Sequence, residues 1–393
     1  MRLLLIVFSM FPLVAIADSI AEIVDNAPDL FLEQAVVGPQ GDGTYVVATQ
    51  QLIDPAGDTV IFPGRPLDLA LSPDGAKLAV KNKNNLVFFD LSSQTILQTL
   101  PMASEGTSYH GIHWSDDGAG VWVTDSQKTL WFAERREDGQ FDWKKDGDTH
   151  VGAYVLPAYD GKESVPGGFV VSPEDGVIYV CISRNNSIGI VDIASKAVLE
   201  EIPVGIAPYA IVRQGQSAYV TNWGGRRPQE DDMTGPTSGS RVVIDATTGV
   251  ASTGTVSVID LSARQVVSEI DVDLHPTEMA FSPDGKRLYV ANANSDTISV
   301  INTLKNKRVD TISTRPMADM PFGSAPNALA VSPDGKLLYV ANGGNNCIAV
   351  INLRKKKVAG LIPTGWYPGS VKLTEDGKLL IVANTKGVGG REH

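Results

Sequence analysis

The sequence predicts an all-β fold, a seven-bladed ring of four-stranded antiparallel blades, and three observations predict it. A turn word and a strand word recur together along the chain, the apolar spacing between them is that of strands, and a strand deficit at the C-terminal end is matched by a surplus near the N-terminal end. Composition agrees. With 43% hydrophobic and 20% charged residues in 393, the chain has what a packed core needs. Its 45 acidic against 33 basic residues give a net charge of -12, which repels a phosphate backbone, so nucleic acid is not an expected partner.

Taken in order, the first element is an address. Met1 and Arg2 precede an apolar run from Leu3 to Ile16, and Ala15-Ile16-Ala17 before Asp18 is the small-x-small pattern of a cleavable secretory signal. Residues 1–17 are therefore read as a signal peptide cut after Ala17, and 18–393 as one domain, periplasmic or secreted. Later runs fall short of the roughly 20 apolar residues of a spanning helix, so no membrane span is expected. Two strand-like runs follow, Tyr45 to Ile53 and Thr59 to Phe62, with Asp54 to Asp58 between them.

The repeat then begins. Its clearest copies run from Pro276 to Gly285 and on to Leu288-Tyr-Val-Ala-Asn292, from Pro326 to Gly335 and on to Leu338-Tyr-Val-Ala-Asn342, and from Pro368 to Gly377 and on to Asn384. Weaker copies run from Arg65 to Gly75, Ser108 to Gly118, Val165 to Gly176 and Ala207 to Gly215, seven in all. A period of roughly 40 to 50 residues belongs to propellers. Within the fifth copy, Thr277 to Phe281, Arg287 to Ala291, Thr297 to Asn302 and Val309 to Ser313 read as four strands, with Ser-Pro-Asp-Gly a preset tight turn between the first two. The seventh copy runs out after two strands. The N-terminal pair supplies what is missing, so the ring is expected to close by N-terminal strands completing blade seven and to leave no open sheet edge.

These words resemble the YVTN-type β-propellers. A closer resemblance rests on Arg65-Pro-Leu-Asp-Leu-Ala-Leu-Ser-Pro-Asp74, Asn222-Trp-Gly-Gly-Arg-Arg-Pro228, Pro321 to Ala330 and Pro363-Thr-Gly-Trp-Tyr-Pro-Gly369. These are similar to exported proteins in which such a propeller precedes a phosphoesterase domain of the alkaline phosphatase superfamily. The resemblance implies a binding and scaffolding module whose partner is a phosphoesterase domain or another envelope protein. Phosphoester hydrolysis is then expected of that partner or of a missing C-terminal domain, and not of this chain alone.

Chemistry-bearing residues gather in the loops of one face. The loops from second to third strands carry Asn185, Asn222, Trp223, Arg226, Arg227, Asn292 and Asn342, amides that either satisfy left-handed turns or ring the channel for a polar ligand. The residues before the repeat prolines include Arg65, His275 and Tyr367, the last beside Trp366, and Asn327 follows one such proline. His110 and His113 lie three apart in an innermost strand, which points them to opposite faces and makes a chelating pair unexpected. No metal or cofactor is expected. A long loop in blade four, 224–254, is read as a docking element or a mobile loop. Cys181 and Cys347 sit three blades apart and are expected as separate thiols. Phosphate-binding loops, nucleophile elbows and zinc-protease motifs are absent from the sequence. Two alternatives to the scaffold remain, a lactonase-type enzyme working at the channel face and a carrier of a non-covalent cofactor.

Overall fold

The computed structural model describes residues 2–9, 36–144, 154–157, 161–317 and 319–387, and of 2–9 the backbone alone. Seven antiparallel sheets form a β-propeller. Blade one is Pro66–Leu71, Lys77–Asn82, Asn85–Asp90 and Thr95–Pro101, in that order from the axis outward. Blade four is Ile206–Gln214, Ser217–Gly225, Gly254–Asp260 and Gln265–Val272; blade five is Pro276–Phe281, Arg287–Asn292, Thr297–Asn302 and Lys307–Ser313. The seven first strands contact one another in sequence order, and Pro368–Leu373 of blade seven touches Pro66–Leu71 of blade one, so the ring is closed.

The turn word explains itself in bonds. In blade one the Ser72 hydroxyl donates to Asp74 and accepts the Lys77 amide at 2.8 Å, Asp74 accepts the Ala76 amide at 3.0 Å, and Gly75 takes φ 66°. The same bonds recur around Ser282 and Ser332. Between blades, apolar faces interlock, as where Phe88 stacks on Phe141 at 4.0 Å with Trp114 edge-on to both. Cys181 and Cys347 are buried free thiols, and burial pushes the Cys347 thiol up to about 12.

Closure of the seventh blade differs from the expectation in one strand. Asp58–Pro63 is its outer strand, as the sequence suggested, but the third strand is Arg2–Ser9, which pairs with Leu379–Asn384 on one side and with Asp58–Pro63 on the other. Tyr45 to Ile53 is instead folded back on itself. Tyr45–Val46 and Leu52–Ile53 form a small sheet with Gly38–Pro39, turning at Gln50 with φ 60°. A six-residue slot needs an unbroken extended segment; the Val47–Gln51 turn breaks this one, whereas Leu3 to Phe8 is an uninterrupted apolar run without a turn residue. The cut after Ala17 lies outside the described residues.

Blade two also departs from the simple pattern. Its outer edge is divided, Phe141–Trp143 pairing with one end of Thr129–Arg135 and Tyr154–Val155 with the other. The blade-four loop is structured, with a hairpin of Thr234–Thr237 and Ser240–Val243 whose Ser240 hydroxyl accepts from Asn186 of blade three at 2.8 Å.

Candidate functional site

Charged side chains in an innermost strand are the exception in this ring, and four of them meet in the channel. Asp68 of blade one is buried and accepts the Leu69 and Gly111 amides at 2.8 and 2.9 Å and the Ser370 hydroxyl at 3.1 Å. Its other contact is His110 Nδ1 of blade two, at 2.9 Å. Burial alone would raise this carboxyl, but the charge and hydrogen bond of His110, the Lys372 ammonium and the Gly111 amide outweigh it and hold Asp68 well below the carboxylate range. The bond places a proton on Nδ1 and leaves Nε2 uncommitted to the carboxylate. On the opposite side, Lys372 of blade seven reaches Glu278 of blade five at 2.7 Å, past blade six. Burial lowers the Lys372 ammonium, and Glu278 and Asp68 together more than restore it, so it stays charged. Glu278 also accepts the Leu329 amide of blade six at 3.2 Å.

Asp68, His110, His113, Phe169 and Lys372 line a cavity of about 200 Å³. His110 and His113 were expected on opposite faces, yet both look into it. A register shift between Thr107 and Ile112, with Gly111 at φ 106°, sets five residues against two of the partner strand, and this irregularity breaks the alternation that would have sent them to opposite faces. Burial lowers the His113 imidazole, with Lys372 adding to the effect against Asp116.

From His110 a ladder of rings leads to the loop face. His110 stacks on Tyr209 at 5.1 Å, Tyr209 on Trp223 at 4.3 Å and Trp223 on His275 at 4.4 Å, with planes 17° to 24° apart. His110 belongs to blade two and Tyr209 to blade four. They meet because blade three offers Gly167-Gly168 between them: a Cβ on Gly168 would lie 2.8 Å from the His110 ring and 3.1 Å from the Ala210 Cα. Burial, then Asp68 and Glu278, raise Tyr209 well above the ordinary phenol value, so its hydroxyl keeps its proton. Burial lowers His275.

The structure thus brings together His110, Trp223 and His275 of the residues singled out in the sequence. Asn327 lies nearby on its innermost strand, its amide 3.5 Å from the Pro368 carbonyl. The other amides are elsewhere. Asn222, Asn292 and Asn342 are fully buried at the ends of second strands and donate to Thr255 and Ser257, to Thr297 and Ser299, and to the Thr314 carbonyl respectively, so they present no surface to the channel. Asn185 donates to Glu201 and to the Pro157 carbonyl. Arg226 grips Asp232 with two bonds of 2.5 and 2.7 Å, and Arg227 donates to the carbonyls of Val204 and Asn186, both at 2.7 Å, so these arginines fasten the blade-four loop. Trp366 and Tyr367 share the Lys386 ammonium, 5.1 and 4.6 Å from their rings. Arg65 is half-buried, and its Nε has no hydrogen-bond partner among the described residues.

Asp68, Tyr209, Glu278 and Lys372 were missed by attention to loops. For Asp68, Glu278 and Lys372 the signal was a charge at repeat positions that hold Ala, Gly or Val in most other copies, whereas the Tyr209 position varies too much among copies to mark it. Lys81 is another such departure. It is fully buried between blades one and two, donating to Ser108 and Thr124 and to the carbonyls of His110 and Gly111 at 2.8 to 3.0 Å, directly behind the histidine. Among the described residues no group of three His, Cys, Asp or Glu side chains is placed to hold a metal.

Comparison with known proteins supports the architecture. A family model described as "Lactonase, 7-bladed beta-propeller" matches residues 259–388. The solved structure of Kuenenia stuttgartiensis hydrazine synthase superposes with a TM-score of 0.60 at 19% identity, over 82% of this chain and 93% of that one. That likeness shows a shared fold. No curated protein matches the sequence.

Proposed function

We propose that this chain is an exported binding module that holds a small polar molecule in its channel, beside a phosphoesterase supplied by another chain or domain. The observation that carries the reading is the cavity in which buried Asp68 fixes the His110 ring and Lys372, tied to Glu278, keeps a charged ammonium. Such a site is concave, has few polar groups, and has them oriented by fixed partners. One carboxylate, one ammonium and two imidazoles offer both acceptors and donors without a large net charge, which suits a hydroxylated ring compound better than a multiply charged one. The resemblance to propellers that precede phosphoesterases supports the partner, and the Ala15-Ile16-Ala17 pattern supports export, in which case cleavage would remove the Arg2–Ser9 strand from blade seven of the mature ring.

A second reading has its own observation. With Nδ1 donating to Asp68, the neutral form of the His110 ring presents Nε2 as a proton acceptor for water, and the lactonase family model matches residues 259–388. The chain would then open a cyclic ester.

Calorimetric titration with glucono-δ-lactone, with gluconate and with inorganic phosphate, on the wild type and on His110→Ala and Lys372→Met, tests both. The binding reading expects saturable uptake of at least one probe, weakened about tenfold or more in each variant by loss of an oriented hydrogen bond. Identical weak heats from all three proteins would sink it. Lactone opening above the spontaneous rate that disappears in His110→Ala would favour the second reading. Hydrolysis of p-nitrophenyl phosphate by the isolated chain would refute the assignment of phosphoesterase chemistry to a partner.

A further inference from the structure

Blade two concentrates aromatic residues. Four of the six tryptophans, Trp114, Trp122, Trp131 and Trp143, lie in it, together with Phe132 and Phe141. All of these rings are buried, and two of them, Trp122 at 7% and Phe132 at 9% exposed, pack on each other at 4.4 Å and present an edge of the core to a second cavity of about 430 Å³ on the turn face, between blades two and three. This groove is separate from the channel pocket and touches it only through His113, which lines both.

Two local departures from the repeat shape the groove. Blades three to six carry Tyr179, Tyr219, Tyr289 and Tyr339 in their second strands where blade two has Trp122. The turn word is Ser-Pro-Asp-Gly in blades one, five and six, but Ser115-Asp116-Asp117-Gly118 here, so an exposed carboxylate stands where the others have proline. Asp117 is occupied by the turn, accepting from Ser115 at 2.6 Å and from Ala119 at 2.9 Å. No hydrogen bond or ion pair engages Asp116 among the described residues, and its charge acts on His113. Glu134 adds a second acid at the rim, 3.6 Å from Lys144, whose ammonium sits 5.8 Å from the Phe132 ring centre. That cation over an aromatic face shows the electrostatic character of the wall.

We propose that this groove binds an organic cation with an apolar or aromatic body, its ammonium against Asp116 and its body against Trp122 and Phe132. The chemistry is complementary in each part. Aromatic faces carry negative quadrupole potential that attracts a cation, and indole is the strongest such face among the side chains. Three carboxylates against one lysine leave the rim negative, on a chain whose net charge is already -12, so an anion would be repelled. The volume suits a substituted monocyclic amine rather than a peptide segment.

Trp122 makes the site observable. Titration of intrinsic tryptophan fluorescence with benzyltrimethylammonium, with benzyl alcohol as the uncharged counterpart, is the direct experiment. Saturable quenching by the cation is expected, with the alcohol binding about tenfold or more weakly, the fold-change of one ion pair plus a cation–π contact. Asp116→Asn, at an exposed turn position that leaves Trp122 in place, should lose about the same factor for the cation and little for the alcohol. Trp122→Tyr restores the repeat's own residue, so it is expected to fold, and should weaken cation binding followed by calorimetry. Equal affinities for cation and alcohol, an unchanged affinity in Asp116→Asn, or no saturation at millimolar cation would each overturn the proposal.

Discussion

At the scale of single residues, Lys81 is the most unusual side chain in the molecule. A fully buried ammonium is expensive unless every proton finds an oxygen, and four oxygens of blade two surround this one. Burial nevertheless pulls the amine down to about 7 against the raising influence of Asp68 and Asp125. The consequence has a definite sign. Below about pH 7 the group is charged in folded and unfolded chains alike and the folded state carries the whole burial penalty. Above it the folded chain releases a proton that the unfolded chain keeps up to about 10.4, so stability rises with pH across that window. Melting curves from about pH 6 to about pH 10 should show the wild type gaining on Lys81→Met as pH increases; parallel profiles would show that Lys81 does not titrate there. Lys81 also explains why the channel site was only half legible from the sequence. Trp223 and His275 stand out as aromatic residues at loop positions, and His110 as an imidazole in an innermost strand. Asp68, Glu278, Lys372 and Lys81 sit inside strands, where charge can be read from the repeat alignment, but the partner that makes each tolerable comes from another blade. Nothing local in the sequence encodes the Gly111 register shift that turns His113 toward His110.

At the scale of elements, the amide-rich loops serve the backbone. Ala207, Ala325 and Tyr367, each before a repeat proline, adopt φ between 48° and 62°, a conformation that disfavours side chains and is held here by a neighbouring blade. Asn186, Asp296 and Asn346 accept their amides at 2.8, 3.2 and 3.0 Å. This is why Asn and Gly dominate those loops, and the sequence did show that alternative. Strand identity was equally legible, because turn and strand words repeat and blade five was outlined to within a residue or two of its observed bounds. Which N-terminal run fills which slot was not, since pairing across hundreds of residues is decided by competition between segments. Phe62 tests the element on which closure was correctly placed. Its ring is 3% exposed and meets Phe89 of blade one at 5.5 Å, tying the outer strand of blade seven to its neighbour. Phe62→Ala should cost about 3 to 5 kcal/mol in urea unfolding, the range for a buried aromatic. A loss below about 1 kcal/mol would mean that this strand contributes little to closing the ring.

At the scale of the whole molecule, a ring whose two cysteines are free thiols holds together by contacts between neighbours, such as those of Asp68 and Lys81 of blade one with blade two. Lys372–Glu278 is different. It links blades seven and five across the channel and lies beside the Asp68–His110 pair of blades one and two, so one charged cluster couples four of the seven sheets. If the cluster acts as a strut, its members cannot be independent. Removing either partner takes from the other its nearest counter-ion, which costs about 3 to 5 kcal/mol in a fully buried pair and less here, because Asp68 still acts on Lys372 and Lys372 retains 29% side-chain exposure. Removing both leaves no orphan. A double-mutant cycle of Lys372→Met, Glu278→Gln and the double variant, followed by urea unfolding, should therefore give single losses whose sum exceeds the loss in the double variant by about 1 to 3 kcal/mol. Additive losses would show two independent surface charges and an axis that is merely solvent-filled. Coupling of the expected size would instead make the channel lining a structural keystone as well as the pocket wall, and ligand binding at His110 would then raise the melting temperature of the entire ring rather than of two blades.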